Sequence, residues 1–259
     1  MNKKLTYFIN KRFYLISLVV IFFVILMDIS TTKNYFNNEF KSFILYAFGG
    51  IDINIVNPRI VVRYILISII YIFLLFSYLN FTENRNYLLL LRFRDRQAFL
   101  SYKLRKIFEF TNIFFSTIIV LYFALGLIFT DKTNNTFNIY INVIYNRKVS
   151  VDYLFILKSI VLYYLTLINI GVFAFVIKLL ISKISFEYLS PLVLILVSIY
   201  FKNMLLKWIP ISAAMSVRFD YVTGVSNGIN FISSLFKLII LLFGLFMLLK
   251  YIISKLQTI

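Results

Sequence analysis

YLFILKSIVLYYLTLINIGVFAFVI, residues 153–177, holds a single charged side chain, Lys158. The hydrocarbon core of a bilayer is about 30 Å thick and takes about 20 mostly apolar residues to cross as a helix. This run is therefore a membrane span with length to spare. Five further runs meet the same test, at 13–29, 61–79, 110–129, 188–206 and 231–253. The first is short and the runs at 153–177 and 231–253 are long, so their tilts should differ. Composition agrees: 61% of residues are hydrophobic and 14% charged, against roughly a quarter charged in a soluble domain. Lipid must solvate most of this surface. The expected fold is an all-α integral membrane protein, one transmembrane domain over 1–259 with six membrane helices.

The basic residues sort by side. With the N-terminus inside, cytoplasmic segments hold Lys3, Lys4, Lys11, Arg12, Arg85, Arg92, Arg94, Arg96, Lys103, Arg105, Lys106, Lys178, Lys183, Lys250 and Lys255. Outer segments hold only Lys33, Lys41, Arg59, Lys132, Arg147, Lys148, Lys207 and Arg218. Lys and Arg accumulate on the cytoplasmic side of short loops, so both termini are expected in the cytoplasm. The net charge of +17 then belongs to lipid headgroups at span ends, and nucleic acid is not an expected partner. No cleavable leader is expected, because the first apolar run ends in Met27-Asp28-Ile29-Ser30 without a small-residue cleavage site. Heavy use of Phe, Tyr, Ile, Asn and Lys points to an AT-rich genome and a Gram-positive host, hence a multi-pass protein of the plasma membrane.

Four basic residues stay inside spans: Arg63, Lys158, Lys202 and Lys237. Each lies within about two turns of the outer end of its helix. A long side chain there can snorkel to the headgroups, or it can face an outward vestibule and meet an anionic part of a substrate. Asp28, Asp52, Asp131, Asp152 and Asp220 share that side and could pair with them.

Several chemistries are excluded. The chain has no Cys and no His, which removes thiol nucleophiles, disulfides, imidazole bases and Cys/His metal sites. No phosphate-cradling G-x-x-x-x-G-K-[ST] occurs, so the chain is not expected to hydrolyse ATP. Proteolysis within the membrane lacks a Ser/His pair or paired in-span Asp. Secondary transport lacks midplane acidic residues and matched broken helices.

Two segments carry mechanism. Residues 1–12 place Leu5, Phe8 and Ile9 on one helical face with Lys3, Lys4 and Lys11 elsewhere, the pattern of a short interfacial helix. Residues 80–109 are too charged to span, yet Leu90, Leu91, Phe99, Leu100 and Leu104 supply apolar anchors. Helix, turn, helix on the cytoplasmic surface is expected. An ordinary positive-inside loop lying on anionic lipid would have a similar composition.

Within it, Arg96 and Lys103 stand seven apart with Gln97, Phe99 and Leu100 between them, and Trp208-Ile209-Pro210 opens the outer segment before the last span. In these features the chain resembles the compact six-span permease subunits of ABC exporters of the second class. It departs at Tyr102, where a small residue is common in that family. The resemblance implies a coupling helix between spans two and three that docks an ATPase through Leu91, Arg92, Phe93, Arg94, Asp95, Arg96 and Lys103. It also implies ATP and Mg on that partner with no cofactor on this chain, and a second permease copy completing a homo- or heterodimer. An apolar, aromatic interior suits a hydrophobic or amphipathic peptide such as a bacteriocin or toxin, with Lys158, Lys202, Lys237 and Arg63 on its path. Polysaccharide or teichoic-acid precursors, or a non-transporting immunity or sensor role, are the alternatives.

Overall fold

The computed structural model describes residues 17–30, 40–50, 58–83, 96–130, 139–140, 148–149, 153–181, 186–200, 210–215, 218–220 and 229–255. They form α1 (Ser17–Ser30), α2 (Phe40–Phe48), α3 (Pro58–Glu83), α4 (Arg96–Phe129), α5 (Tyr153–Leu180), α6 (Phe186–Tyr200), α7 (Pro210–Ala213) and α8 (Phe231–Lys255). A two-residue antiparallel pair, β1 (Ile139–Tyr140) with β2 (Lys148–Val149), lies between α4 and α5.

Among the described residues, α3, α4, α5 and α8 are long and apolar enough to cross a membrane, and the protein is a multi-pass membrane protein. The two other apolar runs contain α1 and α6, whose described parts are 14 and 15 residues long. Residues 13–16 and 201–206 of those runs, with the interfacial segment 1–12, lie outside the described residues.

The helix that begins at Arg96 is not confined to the apolar run at 110–129. It continues unbroken to Phe129 over 34 residues, which at 1.5 Å per residue is about 50 Å. No turn interrupts 96–109, because Gln97 to Glu109 contains neither Gly nor Pro to break a helix, and the rest of the segment expected to form helix, turn, helix, residues 84–95, lies outside the described residues. A bilayer accommodates about 30 Å of that length. The first turns of α4 therefore stand beyond the hydrocarbon as a rigid continuation of the span.

Helix ends follow local chemistry. Pro58 opens α3, where its missing N–H costs nothing. Asn230 caps α8: its Oδ1 accepts the Ser233 N–H at 2.8 Å, and the Ser233 hydroxyl accepts the Asn230 N–H at 3.1 Å. Two glycines end α2. Gly50 has φ +89° and lies against Met215, where an added Cβ would sit 2.6 Å from the Met215 Cβ, so glycine's freedom is required there.

The centre of the fold is α5, packed against α2, α3, α4, α6 and α8. Its residues Thr166 to Val172 are all buried, without helical periodicity. That is the signature of a helix enclosed by protein on every side. Gly171 permits the closest approach: a Cβ there would overlap the Tyr71 hydroxyl. Tyr71 donates to Thr111 Oγ1 at 2.8 Å, which donates to the Ile107 carbonyl at 2.7 Å. Asn169 Nδ2 donates to the Leu165 and Leu238 carbonyls at 2.9 and 3.3 Å, tying α5 to α8.

In contrast, α8 buries one stripe only: Ser234, Leu238, Leu245, Leu249, Ile252 and Ile253. Its other face exposes Ile232, Phe236, Ile240, Phe243 and Met247. Those residues are as apolar as the buried ones because lipid tails, unlike water, give no reason to make the outer face polar.

Candidate functional site

Three charged or polar residues occupy places that should hold hydrocarbons. Along α1, Ile21, Val24, Ile25 and Asp28 form the buried stripe, at the three- and four-residue steps of a helix. On α3 the stripe runs Arg63, Ile67, Tyr71, Leu74; on α4 it runs Phe115, Ile118, Tyr122, Leu125. Asp28, Arg63 and Tyr122 are thus aimed inward by register, and they meet. Arg63 Nη1 lies 3.3 Å from Asp28 Oδ2, and the Tyr122 hydroxyl donates to the same oxygen at 2.6 Å.

The ion pair is dry: Arg63 is 3% and Asp28 4% exposed. Around it stands an aromatic box. Tyr122 contacts Phe43 and Phe48 of α2 at ring separations of 5.5 and 5.4 Å, and Phe48 contacts Tyr163 of α5 at 5.5 Å. Tyr163 meets Tyr64, the neighbour of Arg63, edge to face at 5.8 Å. Such pairs contribute about 0.5–1.5 kcal/mol each beyond their buried area. Arg218 is also fully buried; its Nη1 donates to the Ser212 hydroxyl on α7. One buried cluster therefore joins the end of α1, the start of α3 and the end of α4, with α2, α5 and the α7 region packed around it.

At the opposite end of α4 the charges behave differently. Arg105 Nε and Lys106 Nζ bind Glu109 at 3.0 and 2.6 Å across about one turn, with Arg105 exposed. Exposed pairs of this kind contribute at most about 1 kcal/mol. Lys178 places its ammonium 5.1 Å from the Phe76 ring centre.

No protein-family model, curated protein or solved structure matches this chain.

Of the residues expected on a substrate path, Arg63 is buried and paired with Asp28, one of the acidic residues expected to share its side, among aromatic side chains. Lys158 is half-buried near the start of α5 with its ammonium 5.5 Å from the Phe231 ring centre, and Lys237 is half-buried on α8. Lys202 lies outside the described residues.

Of the docking residues, Leu91, Arg92, Phe93, Arg94 and Asp95 lie outside the described residues, and Arg96 is described only as the start of α4. Lys103 is 0% exposed on the stripe Leu100, Lys103, Ile107, Phe110. Its Nζ lies 5.5 Å from the Phe99 ring centre. The protruding surface of α4 is instead Gln97, Ala98, Ser101 and Arg105. Among the described residues, no group of three or more His, Cys, Asp or Glu could hold a metal ion.

Tyr122 and Arg218 are the site residues that sequence reasoning missed. Tyr122 carries a signal, its place on the buried stripe of α4. Arg218 lies in an irregular segment and carries none.

Proposed function

We propose that this chain is the transmembrane subunit of an ATP-driven exporter, paired with a separate ATPase that binds ATP and Mg and with a second permease copy. The reading carries over the second-class ABC permease resemblance, with both termini in the cytoplasm of a Gram-positive plasma membrane and six crossings completed by the α1 and α6 runs. The favoured cargo is a hydrophobic or amphipathic peptide, because the residues lining the helices are aromatic and aliphatic with few polar groups.

The observation that supports it best is α4 itself. One unbroken helix runs from Arg96, beside the Arg-rich segment, to Tyr122 at the Asp28–Arg63 pair. A motor that changes shape on binding ATP must push on something stiff, and a helix of about 50 Å carries a push at one end to the other. Displacing α4 would draw the Tyr122 hydroxyl away from Asp28 and loosen the outer cluster as the inner end is gripped. An apolar knob for a groove on the ATPase, with charges for orientation, is supplied by Phe93 within Arg92, Arg94, Asp95 and Arg96.

The test is co-purification of the chain with its ATPase and measurement of peptide-stimulated ATP hydrolysis, with Phe93→Asp as the variant. The expected result is that Phe93→Asp inserts in the membrane at normal abundance but neither retains the ATPase nor supports stimulated hydrolysis. Retained complex and retained stimulation would contradict the reading.

A further inference from the structure

A cavity of about 300 Å³ opens between the first turn of α4 and the last turns of α8, lined by Gln97, Leu100, Met247, Lys250, Tyr251 and Ser254. Its depth in the membrane is marked from the α8 side. Phe243 and Met247 are lipid-facing apolar residues, and one turn further Tyr251 is exposed with the Lys255 ammonium 5.0 Å from its ring centre. An exposed Tyr followed by Lys at the end of a span is the pattern of the headgroup layer. The cavity therefore sits where a lipid's phosphate lies, with its wall toward the bilayer centre formed by Met247 and its floor by buried Leu100.

The lining is amphipathic in the same sense as a lipid. Lys250 and the Gln97 amide supply donors, no acidic residue lines the cavity among the described residues, and Lys255 adds a second cation one turn beyond. A basic pocket between membrane helices at headgroup depth recognises an anionic headgroup, and 300 Å³ is at the lower end of small-ligand sites, enough for a phosphoglycerol group with its acyl chains running out past Met247. We infer that this cavity is a specific site for an anionic glycerophospholipid of the leaflet around the α4 start, its phosphodiester held by Lys250 and Gln97. The inference needs only the membrane-embedded fold and not the exporter reading.

The test uses the purified full-length chain without any ATPase, so its outcome is separate from that of the exporter reading. Native mass spectrometry would count lipid adducts after incubation with phosphatidylglycerol or phosphatidylcholine of matched chains. The expected result is one retained phosphatidylglycerol, with Lys250→Ala lowering its retention about fivefold, the ratio set by one Lys at an anionic surface. Ser254→Trp, which fills the cavity and keeps the charge, should lower it at least as far. Arg105→Ala, which removes an exposed cation from the same end of the protein, should leave it unchanged. Equal retention of the two lipids, or full retention by Ser254→Trp, would overturn the site. Displacement of the lipid by millimolar inorganic phosphate would overturn the lipid as its occupant.

Discussion

Asp28→Ala is expected to destabilise the folded protein by about 3–5 kcal/mol, because it strands a guanidinium in a dry interior. Arg63 is 3% exposed and its Nη1 faces Asp28 Oδ2 at 3.3 Å. The reverse change should cost less. A carboxyl group left alone by Arg63→Ala can take up a proton and keep its hydrogen bond with Tyr122, whereas a guanidinium cannot give its proton up. Removing both charges with residues of similar volume, Asp28→Leu with Arg63→Met, should recover most of the loss, since a buried ion pair gains little over a packed apolar pair. The three variants can be ranked by their thermal unfolding midpoints in one detergent. An Asp28→Ala variant as stable as the wild type, or a double variant worse than either single one, would show that the pair is not enclosed as described.

Under the proposed exporter function, Ser101→Pro is expected to abolish ATP-dependent activity while leaving insertion intact. Ser101 is exposed on the protruding part of α4, and its hydroxyl donates to the Gln97 carbonyl at 2.9 Å. Proline at that position removes the backbone donor to the same carbonyl and clashes with it, a local penalty of about 3 kcal/mol. The first turn of α4 would separate mechanically from the span, although Lys103, Ile107 and the outer cluster keep their packing. Ser101→Ala removes only the side-chain bond and should behave as wild type. Normal ATP-driven activity in Ser101→Pro, measured in proteoliposomes with the ATPase partner present, would mean that force does not travel through this helix.

Much of the fold is legible in the sequence because lipid simplifies the problem. Apolar length alone finds α3, α5 and α8, and the start of α8 at Phe231 coincides with the start of its apolar run. The start of α4 is not legible that way. Arg96 to Glu109 is charged enough to resemble a surface loop, but it lacks breakers and places Leu100, Lys103 and Ile107 on one face, which continues the stripe of the span. Helical periodicity, not hydropathy, holds that information.

The same reason explains the candidate site. Hydropathy identifies Arg63 as a cation near an outer end and offers snorkelling or a vestibule, while the register of Asp28 four residues after Val24 and of Tyr122 four after Ile118 places both on buried faces. Which helices then face one another depends on α5 as the shared centre, and the apolar residues spread over every face of 153–180 hold no directional signal. Arg218 was beyond reach for a different reason, since an irregular segment has no period to read.

The account rests on which side of the membrane the start of α4 occupies. The chain contains no cysteine, so single cysteines can report it without interference. Ser101→Cys and Ser30→Cys lie at exposed positions on opposite ends of the helices. With a membrane-impermeant maleimide on intact cells, Ser30→Cys should be labelled at once and Ser101→Cys only after permeabilisation. Labelling of Ser101→Cys in intact cells would place the α4 start outside, away from ATP, and would contradict the account.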